Sequence, residues 1–224
     1  MALSRSDVVD ASGDGIKRFE ELVRSLDDQQ WQTPTRCEGW NVSDVVAHVT
    51  GNMTIIAEGR LSDFADPGHV DREVNARKGK SPAELADEFA QSSKVAQDIL
   101  SGIDDAAWNG PSLVEVGGPT LGAGVEAIFY DIYVHAQDIN EALGRTPERD
   151  EAGMKISVSH LTDLLTEQKY KPSTVALDGM PEFPVSGGGD RVTGDPYDFI
   201  LVATGRKDPS SMGLDETVNI YRQQ

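Results

Sequence analysis

From residue 5 to about residue 169, apolar side chains recur every three or four positions, with breaks where glycine and proline gather. A stripe of that period is buried only if the segment is helical and another apolar surface faces it. The first such segment, residues 5–27, carries Val8, Val9, Ile16, Phe19, Leu22, Val23 and Leu26. A connector at 28–40 holds Pro34 and Gly39. A second helix is predicted from Asn41, a capping residue followed three positions on by Asp44. Its stripe is Val42, Val45, Val46, Val49, Met53 and Ile56. Residues 60–80 are polar, with Pro67, Gly68 and Gly79, and read as a loop with room for a short helix. Ser81-Pro82-Ala83-Glu84 is a strong helix start, opening a third helix to about Leu100. Residues 101–120, with four glycines and two prolines, read as irregular. A fourth helix is expected from about Leu121 to Leu143, stopped by Gly144, and a fifth from about Glu151 to Lys169.

After Pro172 the pattern changes. Thr174-Val175-Ala176-Leu177 and Phe183-Pro184-Val185 are short apolar pieces among glycines, and Gly187-Gly188-Gly189 is a turn. Asp195-Pro196 opens a short helix to about Thr204. The expected fold is mainly α: a four-helix bundle with an extra helix and a small mixed α/β C-terminal segment. The expected division is a bundle at 1–170 and the small segment at 171–224.

Charge narrows the function. The chain has 38 acidic and 20 basic residues, a formal net charge of -18. Such a surface repels phosphate backbones and anionic lipid, so neither nucleic acid nor membrane is an expected partner. No stretch approaches the roughly 20 apolar residues that cross a bilayer. The single cysteine, Cys37, excludes an intramolecular disulfide and fits a reducing cytoplasm. A cytoplasmic monomer or homodimer is expected.

The chemistry-bearing residues lie on the second and fourth helices. At 100° per residue, Ile128, Ile132, Ile139 and Leu143 share a stripe, and Asp131 and His135 stand one above the other beside it. An inward carboxylate is costly unless compensated. A divalent metal would compensate it, since carboxylate oxygen and imidazole nitrogen both suit zinc or nickel. The simpler reading of the pair alone is an Asp–His hydrogen bond within the helix. His48, flanking the second helix's stripe near Val45 and Asn52, is the natural third ligand; alone it reads as a satisfied core histidine.

The stretch Thr33-Pro34-Thr35-Arg36-Cys37-Glu38-Gly39-Trp40-Asn41-Val42-Ser43-Asp44-Val45-Val46-Ala47-His48-Val49 resembles the opening signature of the mycothiol-dependent maleylpyruvate isomerase-like branch of the DinB superfamily. Asp131-Ile132-Tyr133-Val134-His135-Ala136-Gln137-Asp138-Ile139 is similar to its second signature, and Gly194-Asp195-Pro196-Tyr197-Asp198-Phe199-Ile200-Leu201 into Thr204-Gly205-Arg206 to its C-terminal segment. The resemblance implies a DinB-like bundle with a metal on His48, Asp131 and His135, and open positions for water or a thiolate. Asp131 stands where the isomerases typically carry Glu, one methylene longer. The resemblance further implies mycothiol as thiol cofactor and a small electrophile as substrate. A metal-held thiolate then serves either cis–trans isomerisation or S-transfer. The competing readings are a non-catalytic metal- or ligand-binding bundle, and a metal-free bundle in which Asp131 and His135 merely pair.

Other residues have a chemical and a plainer reading. Asp138 either orients an imidazole or is a solvated acid near the helix end. Cys37 is a reactive thiol or, more simply, a small buried residue. Trp40 reads as a core anchor and Arg206 as an exposed arginine. His69 and His160 read as surface histidines. The glycines at 187–189 lack the Lys-Ser/Thr of a phosphate loop.

Overall fold

The structure, a computed structural model, describes residues 3–112 and 118–222. Its contacts divide the chain into two compact units, one formed by Arg5–Glu148 and the other by Met1–Ser4 with Arg149–Gln224.

The larger unit is helical. It comprises α1 (Arg5–Arg24), α2 (Asp28–Trp31), α3 (Val42–Ala57), a 3-10 turn (Leu61–Ala65), α4 (His69–Ala76), α5 (Pro82–Ser101), α6 (Asp105–Trp108) and α7 (Leu121–Ala142). The long helices begin where their caps stand. The Asn41 side chain accepts from Asp44 N at 3.0 Å while Asp44 Oδ2 accepts from Asn41 N at 3.1 Å. Ser81 and Glu84 form the same reciprocal box before α5, and Thr120 Oγ1 caps α7. After α7, Gly144 takes a φ of +64°, the left-handed conformation that ends a helix cheaply only at glycine.

Helix α3 is rich in valine, which costs roughly 0.5 kcal/mol per residue against alanine in a helix. Burial outweighs this, at about 1.5–3 kcal/mol for each such side chain. Val42, Val45, Val46 and Val49 are all fully buried. They join Phe19 and Val23 of α1, Leu85 and Phe89 of α5, and Ile132 and Ile139 of α7 in one core. Helices α1 and α3 each pack against both α5 and α7, which is the four-helix arrangement.

The 60–80 stretch is more ordered than its polarity suggests. Helix α4 lies so close to α3 that a Cβ on Gly51 would sit 2.5 Å from Glu73 Cβ. The buried Arg77 then bonds Glu73 Oε2 and Glu88 Oε1, each at 2.7 Å. The 101–120 stretch, expected to be irregular, contains the one-turn helix α6, capped by Asp104, with Trp108 buried. Residues 113–117 lie outside the described residues.

The smaller unit contains α8 (Glu151–Glu167), β1 (Ser173–Leu177), β2 (Phe183–Val185), β3 (Asp190–Gly194) and α9 (Pro196–Ala203). The sheet order is β2-β1-β3, with β1 antiparallel to β2 (Ser173 opposite Val185) and parallel to β3 (Ser173 opposite Asp190). The two apolar pieces predicted in the sequence are β1 and β2. Strand β3 carried no signal because only Val192 of its five residues is buried. Helix α8 packs on α9 and β2, so the units part at Glu148/Arg149 rather than at the 170/171 boundary expected from sequence. Residues 156–162 of α8 are all buried, which corrects His160: it is an interior residue, 5% exposed, not a surface histidine. Among the described residues, no helix is long and apolar enough to cross a membrane.

The Arg77 network yields a stability prediction. Burial raises the Glu88 carboxyl, but Lys80 and Arg77 overcome this and hold it below the usual range. Its contribution is therefore present at neutral pH and lost as pH falls through that lowered value. Arg77→Met should cost about 3 kcal/mol at pH 7 by denaturant unfolding, and less in acid. A loss under about 1 kcal/mol at pH 7 would mean the network adds no more than a surface pair does.

Candidate metal centre

Asp131 and His135 stand one turn apart on α7, and His48 faces them from α3. Asp131 Oδ1 lies 3.4 Å from Nε2 of His48 and 3.4 Å from Nε2 of His135, and Oδ2 lies 3.3 Å from Nε2 of His48. One ligand atom from each residue falls within 4.8 Å of the others. The two imidazole rings meet edge-on, with centroids 5.0 Å apart. The side chains of His48, Asp131 and His135 are 9%, 24% and 12% exposed, so the cluster is shielded without being sealed.

The spacing is informative. Ordinary N–H···O bonds run about 2.7–3.2 Å, so 3.4 Å is long for an acid clasped by two imidazoles. Two ligands each about 2.1 Å from a tetrahedral ion would stand about 3.4 Å apart. The donor set, two imidazoles and a carboxylate, fits a divalent ion of the zinc type.

The other face of His135 is different. Its Nδ1 lies 3.0 Å from Asp138 Oδ2, an ordinary hydrogen bond. Asp138 is fully buried and is also approached by Cys37 Sγ at 3.3 Å and Arg36 Nε at 3.6 Å. Cys37, His135 and Asp138 form a second group of metal-ligand spacing, but hydrogen bonds already occupy its polar atoms. The sequence left Asp138 between two roles; the structure makes it the partner of His135. Cys37 is partly exposed and touches this group, so it is more than a small apolar filler. His48 Nδ1, by contrast, is buried without a hydrogen-bond partner, and its ring packs against Trp40 at 5.3 Å.

The loop from Thr35 to Trp40 delivers Arg36, Cys37 and Trp40. It closes through Thr35 N to Trp40 O at 3.0 Å and Trp40 N to Cys37 O at 2.9 Å, with Gly39 at φ +78°. Asn52, one turn beyond His48, was passed over in the sequence. It donates from Nδ2 to Asp131 Oδ2 at 3.1 Å, and its only sequence signal is the four-residue spacing from His48. Neither His69 nor His160 belongs to a metal-spaced group among the described residues. His69 is engaged instead with Asp66 O at 2.8 Å and with the Phe64 ring. Arg206 is half-buried rather than exposed, with Nη1 3.5 Å from Thr204 O. Gly187 and Gly188, both at positive φ, lie in the turn between β2 and β3.

A cavity of about 300 Å³ lies in the same helical unit, lined by Ile16, Met53, Ile56, Leu100, Ile128 and Ile132 among others. Among the described residues, no charged side chain or imidazole lines it.

Burial alone would raise the Asp131 carboxyl, but the charges of His48 and His135 overcome this and hold it well below the usual range. Burial alone would lower His135, but Asp131, Asp138 and Cys37 hold it well above the ordinary imidazole value of 6.5. Without metal, His135 therefore adds stability that is full below that value and lost as pH rises through its raised one. Asp131 adds stability that is lost as pH falls through its lowered one. In chelator-treated protein, NMR titration should find His135 still protonated well above 6.5, and Asp131→Asn should bring it down. A His135 titrating at its ordinary value in the parent would contradict the arrangement.

Residues 13–140 match the family described as the mycothiol maleylpyruvate isomerase N-terminal domain. An uncharacterized protein of Mycobacterium tuberculosis, found in strains CDC 1551 / Oshkosh and ATCC 25618 / H37Rv, is 23% identical over 224 residues, covering 88% of this chain and 84% of the relative. The crystal structure of the mycothiol-dependent maleylpyruvate isomerase is similar with a TM-score of 0.71 at 17% identity, over 96% of both chains. A histidine-to-alanine mutant of that enzyme gives 0.70 at 16% identity with the same coverage. At those identities the structures speak for the fold, and they agree with the helical unit and small mixed sheet found here. With more than half of its length matched, the chain belongs to the mycothiol maleylpyruvate isomerase N-terminal domain family, a branch of the DinB-like superfamily.

Proposed function

We propose that this protein is a metal-dependent enzyme that uses mycothiol to isomerise, or to transfer a thiol to, a small electrophilic substrate. The observation that carries the metal is the 3.4 Å spacing of Asp131 Oδ1 from both imidazole Nε2 atoms, too long for a tight ion pair and suited to an ion between them. The thiol rests on the family match and on the solved isomerase whose fold this chain shares.

His48, Asp131 and His135 would hold the ion, with zinc the first candidate and nickel the second. When bound, such an ion lowers the pKa of a coordinated thiol and so supplies a thiolate nucleophile. The protein's own contribution is placement. Asp138 Oδ2 accepts a hydrogen bond from His135 Nδ1–H, which leaves the Nε2 lone pair facing Asp131 and His48. Trp40 packs beside both imidazole rings, with centroids 5.3 and 6.4 Å away. The apolar cavity lends some support to a second reading, a ligand-binding bundle without turnover.

The test is elemental analysis of protein purified without a metal-affinity tag, beside His48→Ala and His135→Ala. Near-stoichiometric zinc or nickel is expected in the parent and should be lost in both variants. Metal-loaded parent should then turn over isomerisable diacids or alkylating agents only when mycothiol is present. Protein that neither carries nor takes up either metal would sink the metal reading. Loaded protein silent across both substrate types would favour the ligand-binding alternative.

A further inference from the structure

Asp131 offers two oxygens to its surroundings, and rotation about one side-chain bond exchanges them. Their environments are not equivalent. Oδ1 is equidistant, at 3.4 Å, from the Nε2 atoms of His48 and His135, while Oδ2 lies 3.3 Å from His48 Nε2. Oδ2 receives the side-chain N–H of Asn52 at 3.1 Å. Asn52 is 6% exposed and reaches this position from α3, one turn beyond His48, with Nδ2 also 3.4 Å from His48 Nε2.

The amide is poorly served by its own surroundings. Its Oδ1 is buried with no hydrogen-bond partner. Leucine has the same number of side-chain heavy atoms in the same branched shape and would leave nothing polar unsatisfied there. The donor end is therefore what distinguishes asparagine at this position, and its acceptor is the one carboxylate between the two imidazoles.

We propose that Asn52 is a positioning residue: by donating to Asp131 Oδ2 it fixes the rotation of the carboxylate, so that Oδ1, the oxygen placed between both imidazoles, is the one presented to a metal. A carboxylate so restrained takes up one coordination position rather than two, which keeps a position open for an incoming thiol. The inference rests on the metal reading above and assigns a residue that no sequence motif marked.

The test uses zinc competition against a chelator and the visible spectrum of the cobalt-loaded full-length protein. Asn52→Leu should weaken zinc binding about 10- to 100-fold, the usual range for removing a group that orients a ligand. The cobalt bands should weaken as Asp131 becomes free to bind through both oxygens. The metal-free melting temperature should hold or rise, because an unsatisfied buried amide oxygen is removed. If Asn52→Leu does not fold, Asn52→Ala, which also lacks the donor, carries the same expectations for zinc affinity and the cobalt bands. Zinc affinity within twofold of the parent, with an unchanged cobalt spectrum, would overturn the role of Asn52 and leave the three-ligand site standing. A parent that binds neither ion would remove the site itself, and Asn52's role with it.

Discussion

The packing of α3 against α7 is the constraint on which the rest depends. Their apolar faces, Val42, Val45, Val46 and Val49 against Ile132 and Ile139, belong to one buried core. Because side chains on a helix repeat every three to four residues, fixing those faces also fixes what stands beside them. His48 and Asn52 on one helix, and Asp131 and His135 on the other, are brought to hydrogen-bonding range by contacts that involve no polar atom. The core is thus also the jig for the polar cluster. A rotation of either helix large enough to separate the cluster would have to expose valines that are fully buried.

The caps and apolar periods made most of the fold legible. Asn41 with Asp44, Ser81 with Glu84 and Gly144 mark real helix ends, and local chemistry sets them. What was not legible depends on distant partners. Strand β3 exists because β1 offers it a parallel edge, and its own residues, Asp190-Arg191-Val192-Thr193-Gly194, hold no alternation strong enough to announce it. Helix α8 has a helical pattern that says nothing of which neighbours cover it, so the burial of His160 was misread. The site divides the same way. His48, Asp131 and His135 could be picked out by helical spacing together with the family signature. Arg36 and Cys37 meet Asp138 only because the Thr35–Trp40 loop folds back across α7, and a loop leaves no periodic trace. Asn52 had the right spacing but an ordinary residue type.

The electrostatics of the cluster are local and run against the protein as a whole. The chain carries a formal charge of -18, yet two acids are drawn into the same interior region. Each is held by a different device. Asp138 is surrounded by an imidazole, a thiol and an arginine, and its charge is answered on all sides. Asp131 has two imidazoles at long range and one amide. The first arrangement is complete within the protein; the second has room for a cation. Two neighbouring carboxylates sharing one histidine between them can therefore serve different ends.

His48 and Asp131 are 83 residues apart in the chain. An ion held between them would act as a staple across that whole segment, which includes all of α4, α5 and α6. Closing a loop of that size in the unfolded chain removes entropy equivalent to about 4.5 kcal/mol, by the reckoning used for a covalent cross-link. That is a large part of the roughly 5–15 kcal/mol that holds a typical domain folded. A centre of this kind would be architectural as much as chemical: loading it would knit the first half of the bundle to its last helix, and stripping it would loosen segments that never touch the ion.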